Sequence, residues 1–238
     1  VTLELGGKNP NIIMSDADLD IAIPGVIDGM RYTRQGQACT AGSRVYIHEK
    51  IYDKVLEGAV EKLSKLKMGN ALDEKSDIGA IISEEQLKRT LYYMDIAKKN
   101  SSTKILHGGN QSKGGEYKDG FYYQPTLLSG LPVSSLVCQE EVFGPVACAI
   151  PFKSFDEVMK SANDTQFGLS AVLWTKDLSR ALQFVDEIEA GFVQVNQCVA
   201  PRANVSYGGI KMSGLGKEYA FDSMMNHFTQ SKTVLINR

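Results

Sequence analysis

Short apolar runs alternate along this chain with longer segments whose apolar residues recur every three to four positions, the pattern of strands interleaved with amphipathic helices. Asn11, Ile12, Ile13 and Met14 form a run ending at Ser15-Asp16 and predict a buried strand. Asp16, Asp18 and Asp20 then bring negative charge to the first turn of a helix, whose N–H groups lack partners. Pro24-Gly25 is expected to break or kink that helix early, because proline lacks the N–H and glycine adds backbone freedom.

A strand is predicted over residues 44–48 and a helix over 51–66, with Val55, Leu56, Ala59, Leu63 and Leu66 on one face. Ser83 and Gln86 form a capping box ahead of a helix whose buried stripe is Leu87, Leu91, Met94 and Ala97. Ser154 and Glu157 repeat the box before a helix over 155–163, which leads into a strand over 169–175, a helix over 178–189 and a strand over 192–196. That run is a βαβ crossover, so the fold class is α/β with a largely parallel sheet. Residues 113–120 and 201–216 are glycine-rich and polar and read as loops. Residues 233–236 look like a lone strand with no hairpin partner nearby, expected to pair elsewhere, as with another subunit. The first residues already read as a strand running into the turn Gly6-Gly7, so a preceding segment is expected.

Composition narrows the function classes. With 238 residues, 43% hydrophobic and 23% charged, the chain can bury a substantial core, and its net charge of -2 is spread without like-charge runs. Nucleic acid and membrane surfaces are therefore not expected as partners. No apolar stretch approaches the ~20 residues of a membrane-spanning helix and no signal pattern opens the chain, so a soluble, cytoplasmic location is expected. Cys39, Cys138, Cys148 and Cys198 are too sparse to staple a domain, and His48, His107 and His227 form no ligand motif; no metal is expected.

Two residues stand out chemically. Cys39 lies among small and polar residues between a helix and a strand, in a glycine-flanked loop where backbone donors can activate a thiol and a carbonyl can approach; the competing reading is a small buried hydrophobe. Glu4, between Leu3 and Leu5, is placed where desolvation raises a carboxyl pKa, the direction a general base near neutral pH needs; the competing reading is an edge-strand or surface Glu.

Five segments together resemble the aldehyde dehydrogenases. Leu3-Glu4-Leu5-Gly6-Gly7-Lys8-Asn9-Pro10 is similar to the family's glutamate signature, and Gln35-Gly36-Gln37-Ala38-Cys39 to its cysteine signature, about 35 positions later. Glu140-Glu141-Val142-Phe143-Gly144-Pro145, the run from Asn163 through Phe167 to Ala171, and the run from Gly208 through Lys211 to Gly214 resemble three further motifs, in family order. The resemblance implies a three-layer α/β/α catalytic domain over residues 1–226 and a tail over 227–238 that joins an oligomerisation sheet, with a homo-dimer or homo-tetramer as the assembly. It implies oxidation of an aldehyde to an acid with NAD or NADP: the Cys39 thiolate attacks the aldehyde, its backbone N–H helps hold the oxyanion, and Glu4 activates the water that hydrolyses the thioester. By position, Glu141 resembles the residue that bonds the nicotinamide ribose and Phe143 the one packing beside the nicotinamide. Ala38, Thr40, Cys198, Pro201 and Tyr207 match positions that shape the substrate pocket; for Cys198 plain packing is the alternative.

The family's dinucleotide-binding domain is not found in this sequence. The glycines from Gly208 to Gly216 follow no strand and lack GxGxxG spacing, since Tyr219 holds the last place, so they are rejected as a nucleotide loop. The chain is thus expected to be a catalytic piece of a longer enzyme, negligible in hydride transfer alone yet retaining a weak esterase reaction at Cys39. Two alternatives remain open at this stage: an acylating aldehyde dehydrogenase that releases the thioester to coenzyme A or phosphate, which would not need Glu4, and an inactive fragment serving only as a binding or assembly domain.

Overall fold

The computed structural model describes residues 1–198 and 201–237. The chain opens with the two-residue strand β1 (Leu3–Glu4) and then alternates β2 (Pro10–Ile13), α1 (Leu19–Met30), β3 (Arg44–His48) and α2 (Tyr52–Ser64). α3 (Glu84–Lys99) leads through β4 (Lys104–His107), β5 (Thr126–Ser129) and the short α4 (Leu136–Gln139) to β6 (Val146–Phe152). α5 (Phe155–Asn163), β7 (Phe167–Gly168), β8 (Ser170–Trp174), α6 (Leu178–Glu187) and β9 (Phe192–Val195) follow. β10 (Ile210–Lys211), β11 (Gly214–Leu215) and α7 (Phe221–Phe228) come last.

Seven strands form one sheet in the order β4-β5-β6-β3-β2-β8-β9, parallel throughout except at the β4–β5 edge. Two antiparallel ribbons, β1 with β11 and β7 with β10, lie outside it. Successive residues of the central strands go to opposite cores. Ile12, Tyr46, Cys148 and Leu173 pack with Leu87, Val158 and Phe184 of α3, α5 and α6, whereas Ile13, Ile47, Ala149 and Trp174 pack with Val26, Val55 and Ala59 of α1 and α2. That alternation is the two-residue period of a strand buried on both faces, and it makes the expected three-layer α/β/α arrangement. The expected crossover is present: β8 and β9 pair in parallel with α6 between them. Among the described residues no helix is long and apolar enough to cross a membrane.

One local expectation is corrected. α1 is not broken at Pro24-Gly25 but runs on to Met30. The carbonyl that Pro24 cannot serve belongs to Asp20, which is exposed, and Gly25 has a packing role. A Cβ at Gly25 would lie 2.0 Å from the Trp174 ring, whose indole N–H donates to Asn11 Oδ1 at 2.7 Å, while Asn11 Nδ2 donates to the Gly25 carbonyl. Gly25→Ala is therefore expected to lower unfolding free energy by about 1–3 kcal/mol in a denaturant titration, the usual cost of overpacking a filled core. Residues 233–236, expected to pair elsewhere, make no strand pair within the chain, and Val234, Leu235 and Ile236 are 65%, 92% and 81% exposed. A strand is defined by its ladder, and this segment has none here.

Candidate active site

Ligand sites of open α/β sheets usually lie beyond the carboxyl ends of the strands. Here the candidate residues gather at the opposite edge: Gly7 and Asn9 precede β2, Cys39 precedes β3, Glu141 and Phe143 precede β6, and Phe167 precedes β8. A larger hollow of about 670 Å³, between the end of α2 and the loop before β5, shares no residue with this cluster.

The Gly6-Gly7 turn and the Cys39 loop are in direct contact. A Cβ on Gly7 would meet the Cys39 carbonyl oxygen at 2.3 Å, so only glycine lets the two backbones approach this closely. Asn9 fastens them: its Nδ2 donates to the carbonyls of Cys39 at 2.7 Å and Ala41 at 2.9 Å, and its Oδ1 accepts from the Ser170 N–H of β8. Beneath this turn Arg44, fully buried, donates to the carbonyls of Lys8, Ser161 and Ala162, and so ties the turn to α5. Lys8 is also buried, and desolvation holds its ammonium below the ordinary lysine pKa. Asn9, Lys8 and Arg44 were not singled out from sequence; Asn9 and Lys8 lie inside the first motif.

The Gly7 N–H donates to Glu141 Oε1 at 2.9 Å, and Gly6 has no Cβ where one would press on Oε2. Burial raises the Glu141 pKa, opposed by that N–H, Arg89 and Lys8. Phe143 sits in the left-handed region at φ +56°, a conformation that costs a non-glycine residue about 1–3 kcal/mol unless its surroundings impose it. The imposing group is Gln86, whose Nε2 donates to the carbonyls of Val142 and Phe143 at 3.0 and 2.8 Å. The expected capping box at Ser83 is thus half formed: Ser83 Oγ accepts from the Gln86 N–H, but the Gln86 side chain serves the Phe143 turn instead. Arg89 donates to the Glu141 carbonyl, and Glu141, Phe143, Gln86 and Arg89 border an open groove of about 540 Å³.

Glu4 reaches the cluster through β1, which pairs with β11 (Glu4 with Gly214), so it belongs to the late glycine-rich segment as much as to the first motif. Leu3 and Leu5 are 43% and 45% exposed rather than packed around it. Its pKa is nevertheless raised, by desolvation and by Glu218, with Lys217 opposing. Tyr207 lies within reach of both: its hydroxyl is 3.8 Å from Cys39 Sγ, and burial, Cys39 and Glu4 in turn push its pKa up. Ala38 is half-buried and faces a small void with Gly7 and Phe143; Thr40 and Pro201 are half-buried with no partner that ties them to Cys39. Cys198 packs on α1, its Sγ donating to the Gly25 carbonyl at 3.6 Å, and burial pushes its thiol up to about 12. Sequence reading missed Glu218, Lys217, Gln86 and Arg89; only Gln86 left a trace there, as a capping residue.

Residues 1–234 match the model of the aldehyde dehydrogenase family. The chain belongs to that family. An aldehyde dehydrogenase of Rhodospirillum rubrum is 40% identical to it over 243 residues, covering 100% of the chain and 47% of that protein. Among solved structures, the NAD+ complex of a Bacillus cereus aldehyde dehydrogenase superposes with a TM-score of 0.89 at 36% identity over 95% of this chain and 45% of its own. Betaine aldehyde dehydrogenase of Staphylococcus aureus, in complex with NAD+, gives 0.90 at 35% identity over 94% of this chain and 44% of its own. The chain spans about half the length of the relatives it matches.

Proposed function

We propose that this chain carries the nucleophile and the hydrolytic base of an NAD(P)-dependent aldehyde dehydrogenase, Cys39 and Glu4, with Glu141 and Phe143 at the nicotinamide end of the cofactor. The observation that carries the reading is the contact of the first two motifs at Gly7 and Cys39, with the Tyr207 hydroxyl 3.8 Å from the thiol and Glu4 near enough to act electrostatically on that hydroxyl. The Cys39 sulfur bonds to the aldehyde carbon, and the Cys39 backbone N–H, which has no hydrogen-bond partner among the described residues, is available to the oxyanion. Bound NAD(P) supplies the hydride acceptor. Glu4 then takes a proton from water, the hydroxide adds to the thioester carbon, and the carbon–sulfur bond breaks to release the acid and the thiolate.

The residues present fit one end of that cofactor. Glu141 offers a carboxylate fixed by the Gly7 N–H beside the groove, suited to a ribose hydroxyl, and Phe143 an apolar ring at its rim. A phosphate cradle is not offered by Gly208 and Gly209, whose open sides are filled by Gly216 and Ser213. Ala38, Thr40, Cys198, Pro201 and Tyr207 are the pocket residues of this reading. Residues 233–236 of the tail complete a strand on a second copy, which their exposed Val234, Leu235 and Ile236 support and which makes a homo-dimer or homo-tetramer the assembly.

Hydrolysis of p-nitrophenyl acetate tests the pair without any hydride acceptor. A base must be ionised to act, and the Glu4 pKa is raised, so turnover is expected to fall as pH drops through a value above the ordinary carboxylate pKa of about 4.3. Glu4→Gln is expected to remove that acidic limb, leave the initial burst of p-nitrophenol and slow steady turnover by about 10²-fold or more. An unchanged pH profile in Glu4→Gln would assign the base elsewhere.

A further inference from the structure

We propose that Tyr207 is a positioning residue for the nucleophile, its hydroxyl donating a hydrogen bond to the Cys39 thiolate and holding the sulfur in its reactive state and orientation. The inference rests on the reading of Cys39 as the nucleophile and adds a hydrogen-bond donor to it.

The geometry carries it. The Tyr207 oxygen stands 3.8 Å from Cys39 Sγ, within the longer reach of a hydrogen bond to sulfur, and the side chain is 6% exposed. The ring cannot readily turn away. Phe192 and Tyr219 pack edge-on against it at centroid distances of 5.4 and 5.6 Å, and its backbone exchanges two hydrogen bonds with Glu218. A buried phenol stays protonated, so opposite a thiolate it can act only as donor, and a donor to an anion in a partly desolvated site is stronger than one between neutral groups. The charged group that acts on Tyr207 besides Cys39 is Glu4 on β1, which in turn feels Glu218 and Lys217 beyond β11. Tyr207 links two distant segments: ring and backbone belong to the glycine-rich late segment, and the hydroxyl reaches the cysteine loop 168 positions earlier.

Tyr207→Phe removes the hydroxyl and keeps the ring. The test is the rate of Cys39 alkylation by iodoacetamide from pH 6 to pH 10, with the modified cysteine located by peptide mass spectrometry; Cys138 and Cys148 are buried and burial pushes Cys198 up to about 12, so they do not compete near neutrality. The expected result is a rate at pH 7 lowered roughly three- to tenfold in Tyr207→Phe, converging with the wild type at pH 10, where ionisation no longer limits the reaction. Convergence at high pH, with an unshifted thermal unfolding curve, separates a lost donor from a disturbed loop, since a blocked or displaced thiol would react slowly at every pH. Equal profiles for the two proteins, with Cys39 faster than a free thiol in both, would overturn the role of Tyr207 and leave the nucleophile standing. A wild-type Cys39 no faster than a free thiol would remove both.

Discussion

Cys39→Ala is expected to abolish ester hydrolysis and aldehyde oxidation together, by on the order of 10⁴-fold or more, while the thermal unfolding curve stays where it was. In the proposed mechanism both reactions pass through a bond between this sulfur and the substrate carbonyl carbon, and the other cysteines among the described residues do not share the position. The other cysteines are seated elsewhere: Cys138 and Cys148 are buried in the core on the α3, α5 and α6 side, and Cys198 is packed against α1. The side chain of Cys39 is half-buried and its loop is held by main-chain contacts through Asn9 and Gly7, so the methyl of alanine leaves the fold intact. Initial rates with p-nitrophenyl acetate, and with aldehyde plus NAD(P)+ in the complete enzyme, check this. Residual turnover above about one part in a hundred would mean that acyl transfer does not run through Cys39.

The second large effect needs no change in any reacting group. Gly7→Ala places a Cβ 2.3 Å from the Cys39 carbonyl oxygen and 2.9 Å from the Asn9 amide, far inside contact distance, and the atoms that must yield are backbone and the clamp itself. Cys39 and Asn9 have to separate, and the Gly7 N–H that holds Glu141 moves with them. A displacement of about 1 Å at a reacting atom can cost on the order of 10²-fold, and this substitution displaces the nucleophile and the Glu141 rim at once. Ester hydrolysis in Gly7→Ala is expected to turn over more slowly than in the wild type, by about 10²-fold or more, with iodoacetamide labelling of Cys39 slowed as well. Gly7→Ala turnover within about threefold of the wild type would show that the contact does not govern the site.

The local pattern of the chain was enough for much of the scaffold. The strand over residues 44–48 and the helix over 155–163 have the bounds read from the apolar periods, and β8, α6 and β9 are the crossover those periods predicted. Capping at Ser83 and Ser154 also follows from sequence, because a hydroxyl three residues ahead of an amide is a local geometry. β5 and β6 were not anticipated. Their residues are buried on both faces, so they show no alternation, and short runs such as Val146, Ala147, Cys148 and Ala149 look alike in a strand or a helix. The continuity of α1 across Pro24 was equally invisible, since it depends on which face Asp20 presents to water and on Trp174, which is 150 positions away in the sequence.

For the proposed site, sequence alone named the candidates: a cysteine and a glutamate in two segments that resemble motifs of one family, with Glu141 and Phe143 in a third. Motifs are written in side chains and order, and those survive without coordinates. The tertiary structure decided how they are held. It put Gly7 against the Cys39 carbonyl, made Asn9 the clamp, turned Gln86 from a cap into the support of the Phe143 turn, and delivered Glu4 through a strand pair with β11. It also placed the Tyr207 hydroxyl on the thiol, 168 residues away along the chain. The physical reason is one of range: periodicity, capping and motif spacing report on neighbours within a turn or a strand, whereas a nucleophile's surroundings are set by backbone approach between segments that only the closed sheet brings together.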